Sequence, residues 1–289
     1  MRVAAIRNAV SERNTDSPTM ETARTKGSSS WLMIQAIAVL GLLTAGSLAT
    51  DYCQLESCSG EKHIACGNDG SFASSCPAAA KLLAVDKTAQ NAVVVAHNDL
   101  RQQWASGQGR VRVSACNMAT ISWDPELARL AELNVKQCHM EHDDCHNTQI
   151  YKNSGQNLYI VGTTGSGEPD AASILRDAVA DWATEAEHIN ADHLAEYPDN
   201  YNGPTIGHFT VMVNERNVAV GCAISNYLDD GFNTYLVACN YAATNFIGFP
   251  IYKSCSQPAE ACKSGTNPKD SALCSSSEDV DYNFNDPSA

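Results

Sequence analysis

The sequence predicts an α+β fold in one domain, with helices first, an antiparallel sheet after them and cysteine-rich arms at both ends. Apolar residues in the first half repeat at intervals of three and four, which is the period of an amphipathic helix. In the second half, segments rich in β-forming residues alternate with turn-forming ones. All 12 cysteines follow residue 51, and most of them flank these two regions.

Three helices are predicted, at residues 89–106, 125–141 and 170–190. The second has the clearest start, because Asp124 can cap its N-terminus and Pro125 takes the first helical position, where a missing N–H costs nothing.

The predicted third helix carries one carboxylate on its apolar face. That face consists of Leu175, Ala178, Trp182, Glu185 and Ile189. An unpaired buried charge is strongly unfavourable, so a buried Glu185 needs a partner, for which a histidine is well suited. The alternative is that Glu185 lies at the edge of this face and reaches water.

Three strands are predicted, at residues 209–213, 219–227 and 234–241, and the loop Asp229-Asp230-Gly231 suits a hairpin between the last two. His208 stands directly before the first of these strands.

Residues 1–49 have the organisation of a leader with a signal peptide. An apolar run at 31–45 follows Arg24 and Lys26 and precedes the small-residue site Ser47-Leu48-Ala49. The run is about 15 residues long, whereas a membrane-spanning helix needs roughly 20. We therefore expect cleavage after Ala49 and secretion, with an uncleaved membrane anchor as the alternative.

The charge balance argues against two classes of partner. Removal of residues 1–49 takes away five of 19 basic and three of 33 acidic residues, which leaves 14 and 30 and a net charge of −16. Such a chain lacks the basic surface that nucleic-acid binding requires, and anionic lipid surfaces repel it. We expect neither nucleic-acid binding nor stable membrane insertion.

The cysteines are expected to form disulfides, since their number is even and the chain is predicted to be secreted. Zinc knuckles usually use closer C-x₂₋₄-C pairs. Oxidised cysteines also argue against a thiolate nucleophile. No H-E-x-x-H, G-x-S-x-G or G-x-x-x-x-G-K motif is present.

With these motifs absent, histidine is the remaining residue type from which a metal or catalytic site could be built. Residues 138–146 contain three histidines and three carboxylates, and neutral imidazole is the commonest metal ligand. For His139 and His146 the sequence favours an exposed polar segment between two cysteines. His142 and His208 form a site only if the fold brings them together.

Seven short segments, in this order, carry a family resemblance. They are His97-Asn98-Asp99-Leu100-Arg101, Trp123-Asp124-Pro125-Glu126-Leu127-Ala128, His142-Asp143-Asp144-Cys145, Gly155-Gln156-Asn157-Leu158, Trp182 with Glu185, Gly207-His208-Phe209-Thr210 and Tyr235-Leu236-Val237-Ala238-Cys239-Asn240-Tyr241. Together they resemble the CAP superfamily of cysteine-rich secretory, antigen-five and pathogenesis-related proteins. The resemblance covers roughly residues 52–246 and points to the arthropod antigen-five group, which is venom-allergen-like.

The resemblance implies an α-β-α sandwich with a central antiparallel sheet and a cleft lined by two histidines and two glutamates. Carried over by motif, the cleft residues are His142, Gln156, Glu185 and His208. Gln156 departs from the pattern, because an amide cannot act as a general base and is a poor metal ligand. The resemblance implies no required cofactor, although His142 and His208 could hold a divalent metal such as zinc.

The resemblance also implies an organisation beyond the leader. A cysteine-rich extension spans 50–88, the CAP domain 89–250 and a cysteine-containing tail 251–289. The implied disulfides are Cys53–Cys66, Cys58–Cys145, Cys76–Cys138 and Cys222–Cys239. Three pairings stay open for the other four cysteines, Cys116, Cys255, Cys262 and Cys274.

Three functional hypotheses follow from the residues and the resemblance. The first is a secreted, non-enzymatic binding protein for a small ligand, a lipid or an amine, or for an extracellular protein. The second is a metal-assisted hydrolase or protease that uses His142, His208 and Glu185. The third is a receptor-recognised signalling component of venom, saliva or reproductive fluid.

Overall fold

The computed structural model describes residues 50–164 and 167–284; the predicted leader, 1–49, lies outside them. The helices are α1 Lys87–Ala105, α2 Pro125–Val135, α3 Ala171–Ala183, α4 Ala191–Ala195 and α5 Gly207–Met212. The strands are β1 Lys81–Leu83, β2 Ser114–Ala115, β3 Ser122–Trp123, β4 Gly155–Thr163, β5 Ala219–Asp229, β6 Phe232–Tyr241 and β7 Ser254–Cys255. Within the described ranges, no helix has the length and apolar character needed to cross a membrane.

The central sheet has the antiparallel order β1-β5-β6-β4, and β3 adds a short parallel pairing to β5. One face of this sheet packs against α2 through a cluster that includes Ala131, Leu158 and Leu236. The other face packs against α1 and α3 through a larger cluster that includes Val93 and Trp182. The three layers confirm the predicted α-β-α sandwich, and β4 forms one edge of its sheet.

Helix α1 lies within two residues of its prediction, but α2 and α3 end earlier than predicted. The segment after α2 leaves the helical path because Cys138 has a positive φ of 56°, which an α-helix does not allow. After α3 the chain tightens into a 3-10 turn, Thr184–His188, which carries Glu185.

The strand predicted at 209–213 is wrong, because residues 209–212 belong to α5 and Val213 is its C-cap. Thr210 makes the helical bond to the Ile206 carbonyl through its N–H at 3.0 Å and adds a hydroxyl bond to the same oxygen at 2.8 Å. All four residues from Phe209 to Met212 are buried, so their apolar, β-branched composition reflects burial and not a strand.

The predicted hairpin between β5 and β6 is present. Asp229 pairs with Phe232, and the two turn residues Asp230 and Gly231 have positive φ values of 46° and 84°. Asp and Gly are the residue types that two-residue hairpin turns with two positive φ angles favour.

Arg101 on α1 fixes the position of α5. Its fully buried guanidinium donates to the carbonyls of Ala119, Met212, Asn214 and Asn217 at 2.6–3.1 Å. Burial lowers the pKa of Arg101 to about 9, so the group stays charged at neutral pH. Hydrogen bonds to a charged donor are stronger than neutral ones, which ties the end of α5 firmly to α1.

Six disulfides link the described residues, and none of their cysteines is free. Four are the pairs that the resemblance implies, Cys53–Cys66, Cys58–Cys145, Cys76–Cys138 and Cys222–Cys239. The other four cysteines form Cys116–Cys255 and Cys262–Cys274. The tail also joins the core, since Tyr252 and Leu273 share a buried cluster with Trp104 and Phe209.

Candidate functional site

The first part of the candidate site is a pair formed by Glu185 and His208. Glu185 Oε1 accepts from His208 Nδ1 at 2.6 Å, and Oε2 accepts from the backbone N–H of Phe209 at 2.9 Å. Both carboxylate oxygens are therefore engaged. Because a carboxylate only accepts, Nδ1 of His208 carries the proton and Nε2 keeps its lone pair when the ring is neutral.

Two neighbours hold His208 in place. Its ring lies parallel to that of Trp182, with centroids 6.2 Å apart and an interplanar angle of 11°. Its backbone carbonyl accepts from Asn157 Nδ2 at 3.1 Å, which ties the start of α5 to the edge strand β4. His208 thus stands at a helix start and not at the strand entry that the sequence predicted.

The second part of the site is a pair formed by His142 and Gln156, with His142 Nδ1 2.8 Å from Gln156 Oε1. Gln156 Nε2 donates to Asp143 Oδ2 and to Asn240 Oδ1, each at 2.9 Å. Since the Asp143 carboxylate cannot donate, the amide must present Nε2 to it and Oε1 to His142. His142 therefore donates through Nδ1, and its Nε2 is the available atom.

Asp143 lies behind this pair as a buried carboxylate that accepts from three side chains, His146, Asn134 and Gln156. Burial by itself would raise the pKa of Asp143, but the hydrogen bond and charge of His146, together with the two amides, lower it to about 2. The sequence did not single out this residue, although its position beside His142 was visible.

The expectation of an exposed His146 is wrong. Its residue is buried, with Nδ1 2.8 Å from Asp143 Oδ1 and Nε2 3.1 Å from the Ser154 carbonyl. Both ring nitrogens face acceptors, which fixes the orientation of the ring. His139, in contrast, is exposed as expected.

Two consecutive residues of β4 link the two pairs to the same strand. Gln156 and Asn157 are consecutive, so their side chains leave the strand on opposite faces, one toward His142 and one toward the backbone of His208. Within the described residues, no group of three acidic, histidine or cysteine side chains with ligand atoms within 4.8 Å includes His142, Glu185 or His208. The histidine pairs are neighbours along one strand and not a compact triad.

Taken singly, each of the two histidines has the hydrogen-bond arrangement of a metal-binding imidazole. Each histidine uses Nδ1 for a hydrogen bond and leaves Nε2 available, which is the usual arrangement of a metal-binding imidazole. Glu185 and Gln156 already use both of their side-chain polar atoms in hydrogen bonds within the protein. Zinc in catalytic sites usually has three protein ligands, whereas this site offers two.

A second cluster, Cys58, His63 and Cys145, has the spacing of a metal site but not its chemistry. The two sulfurs form a disulfide with each other. His63 uses Nε2 toward the Asn147 carbonyl and Nδ1 to accept from the Ala65 N–H, so the cluster offers no ligand.

His142 also opens onto a cavity of about 700 Å³ between the cysteine-rich extension and the segment after α2. Lys62 and Phe72 line it from the extension, and Glu141 and Asp144 line it from the side of His142. The cavity gives a small ligand access to one of the two imidazoles.

Comparisons with known proteins agree with this architecture. The CAP, or cysteine-rich secretory protein, family matches residues 94–241. Venom allergen-1 of Aedes albopictus is 35% identical over 85% of this chain and 95% of its own length. The antigen 5 like allergen Cul n 1 of Culicoides nubeculosus is 38% identical over 66% of this chain and 91% of its own length.

Among solved structures, that of NaASP2 with Zn²⁺ matches with a TM-score of 0.54 and 26% identity, over 69% of this chain and all of the other. Fold, disulfides and relatives therefore agree that the chain belongs to the CAP family of cysteine-rich secretory proteins, in its antigen-5-like group.

Proposed function

We propose that this chain is a secreted binding protein without enzymatic activity, and that its ligand occupies the cleft beside His142 and His208. One observation carries the proposal: the groups expected to act as acid or base are already engaged in holding the structure. Both oxygens of Glu185 are bound within the protein, and Gln156 is an amide with all its polar atoms paired. The side-chain atoms that stay available to a ligand are the Nε2 atoms of the two imidazoles.

Secretion is supported by the pairing of every described cysteine, since such disulfides persist in oxidising compartments. The apolar run at 31–45, with small residues after it, supplies the targeting signal. The named relatives are venom and antigen 5 allergens, which fits an extracellular protein.

The ligand that this cleft suits first is zinc or a similar divalent cation, completed by water or by a small molecule. The two imidazoles support this choice, and the solved structure of NaASP2 with Zn²⁺ is in keeping with it. A lipid, an amine or a protein partner would use the cavity beside His142 and the outer surface. The engaged Glu185 favours this binding role over the hydrolase, because a carboxylate that holds His208 and Phe209 orients the imidazole instead of activating water.

Calorimetry with zinc tests the proposal. We expect one saturable zinc site, weakened about tenfold or more by His142→Ala or His208→Ala, since each substitution removes one of two protein ligands. His139→Ala is the matched control, because His139 is an exposed histidine of the same segment. Equal zinc affinity in all three variants, or the loss of binding only in His139→Ala, would remove the cleft from the proposal.

A further inference from the structure

The outer edge of β4 presents unpaired ladder groups. The backbone N–H of Ala242, at the end of β6, donates to the Ala219 carbonyl on the β5 side. Because successive residues of an antiparallel strand direct their N–H and C=O groups to alternate sides, the preceding residue, Tyr241, directs its groups to β4. The residues of β4 that bond to β6 are therefore Gly155, Asn157, Tyr159, Val161 and Thr163. The N–H and C=O groups of Leu158, Ile160 and Gly162 therefore point away from the sheet.

Trp182 covers only one end of this edge. Its Nε1–H donates to the Leu158 carbonyl at 3.0 Å, which independently confirms that this carbonyl points away from the sheet. Beyond Leu158, Ile160 and Gly162 have no outward hydrogen bond among the described residues. The open stretch is thus separated from the cleft by Trp182, whose ring lies against His208.

An apolar patch adjoins the open edge. Ile160 and Phe232 lie on the same face of the sheet and are 38% and 46% exposed, while Leu158 and Leu236 on that face are buried. Phe232 reaches over Gly162, where an added Cβ would stand 3.3 Å from the Phe232 Cβ. The patch is therefore continuous along the edge.

The edge itself lacks the usual protection. Natural edge strands carry charges, prolines or bulges that discourage further pairing. The segment 156–164 contains no charged residue and no proline. Its surroundings are acidic on both faces of the sheet: Asp229 pairs with Phe232 at the hairpin, and on the side of α3 the carboxylates of Asp181 and Asp177 act on Tyr159.

We propose that Ile160–Gly162 docks an extended segment of a partner protein, which adds one strand to the sheet beside β4. The partner segment has apolar side chains that meet Ile160 and Phe232, and basic side chains that meet the flanking carboxylates. A second copy of this chain fits less well, because its own acidic residues would face those of the first. Strand addition of this kind takes its affinity from main-chain hydrogen bonds and its selectivity from alternate side chains.

Fluorescence anisotropy with a short labelled peptide of alternating lysine and valine tests the proposal. We expect saturable binding that salt weakens, and a loss of about tenfold or more when alternate peptide nitrogens are methylated, since methylation removes the pairing N–H groups. A glutamate–valine peptide should not bind. Ile160→Lys should weaken binding about tenfold, whereas the control Leu228→Lys, at a 58% exposed leucine on the opposite face of the same hairpin, should change it less than about twofold.

Three outcomes would overturn the proposal: no saturable binding, full binding of the methylated peptide, or equal losses in Ile160→Lys and Leu228→Lys, which would indicate unspecific charge attraction. Self-association that sedimentation detects and Ile160→Lys abolishes would also overturn it, in favour of a second copy. The His208→Ala variant should bind the peptide normally, so a failure here is distinct from a failure of the cleft.

Discussion

The substitution Asp143→Asn tests the most consequential buried group behind the cleft. Its side chain is only 3% exposed, and its two oxygens accept from His146, Asn134 and Gln156. An asparagine of the same shape would lose the charge opposite His146 and would turn an N–H₂ group toward two other donors. Each buried donor left without an acceptor costs about 1–3 kcal/mol, and two donors are left here, so we expect a loss of stability of about 2–6 kcal/mol at neutral pH.

Part of that loss depends on pH. The folded-state pKa of Asp143 is lowered from 3.8 to about 2, and each pKa unit corresponds to about 1.4 kcal/mol. The depressed pKa stabilises the wild type fully above pH 4, and this stabilisation of about 2–3 kcal/mol disappears as the pH falls from about 4 to about 2.

Guanidinium denaturation of both proteins at pH 6 and pH 2, with disulfides intact, measures the two quantities. Asp144→Asn is the matched control, because this neighbouring carboxylate is exposed and such surface changes stay within about 0.5 kcal/mol. A loss for Asp143→Asn no larger than that of the control, or a loss that is the same at both pH values, would refute the reasoning.

Two further predictions concern sites where the local geometry leaves little freedom. Gln156→Glu introduces the carboxylate that the family pattern has here, but it turns that carboxylate toward the oxygens of Asp143 and Asn240. We expect the free energy of unfolding to fall by about 1–3 kcal/mol at pH 7 and by less in acid, where the carboxylates are protonated. Thermal unfolding across pH measures this change, and an unchanged or raised midpoint would contradict it. Gly221→Ala would place a Cβ 2.1 Å from the backbone N of Ala128, so we expect the free energy of unfolding to fall by about 3 kcal/mol or more. The control Gly167→Ala, whose added Cβ would have nothing within 4 Å, should leave the denaturation midpoint unchanged. Similar midpoints for both variants would contradict the prediction and show that α2 moves away from the added methyl group.

Local sequence patterns predicted much of the fold. The period of three and four located α1 and α3, and Asp124 with Pro125 located the start of α2, because these signals lie within one element. Periodicity did not predict α5, because Phe209 and its neighbours are all buried and the segment has no exposed polar face to give a helical period. The ends of α2 and α3 also differ from the prediction, because Cys138 has a positive φ that stops α2 from reaching residue 141 and the chain after α3 tightens into the 3-10 turn Thr184–His188.

The site could be predicted only in part, because local sequence patterns do not show contacts between distant elements. Motifs pointed to His142, Gln156, Glu185 and His208 one at a time, but the pairing of Glu185 with His208 depends on how α5 and a 3-10 turn meet in space. His146 read as exposed because no local pattern shows that its two nitrogens meet Asp143 and the Ser154 carbonyl.

The central claim is that the cleft binds without catalysing, and a cleavage assay tests it most directly. The secreted protein, loaded with zinc, is incubated with a diverse peptide library, and products are counted by mass spectrometry beside the His208→Ala variant. The account predicts no cleavage above the level of the variant, together with zinc binding that calorimetry finds about tenfold or more tighter in the wild type. Zinc-dependent cleavage by the wild type that His208→Ala abolishes would contradict it and establish the metal-assisted hydrolase.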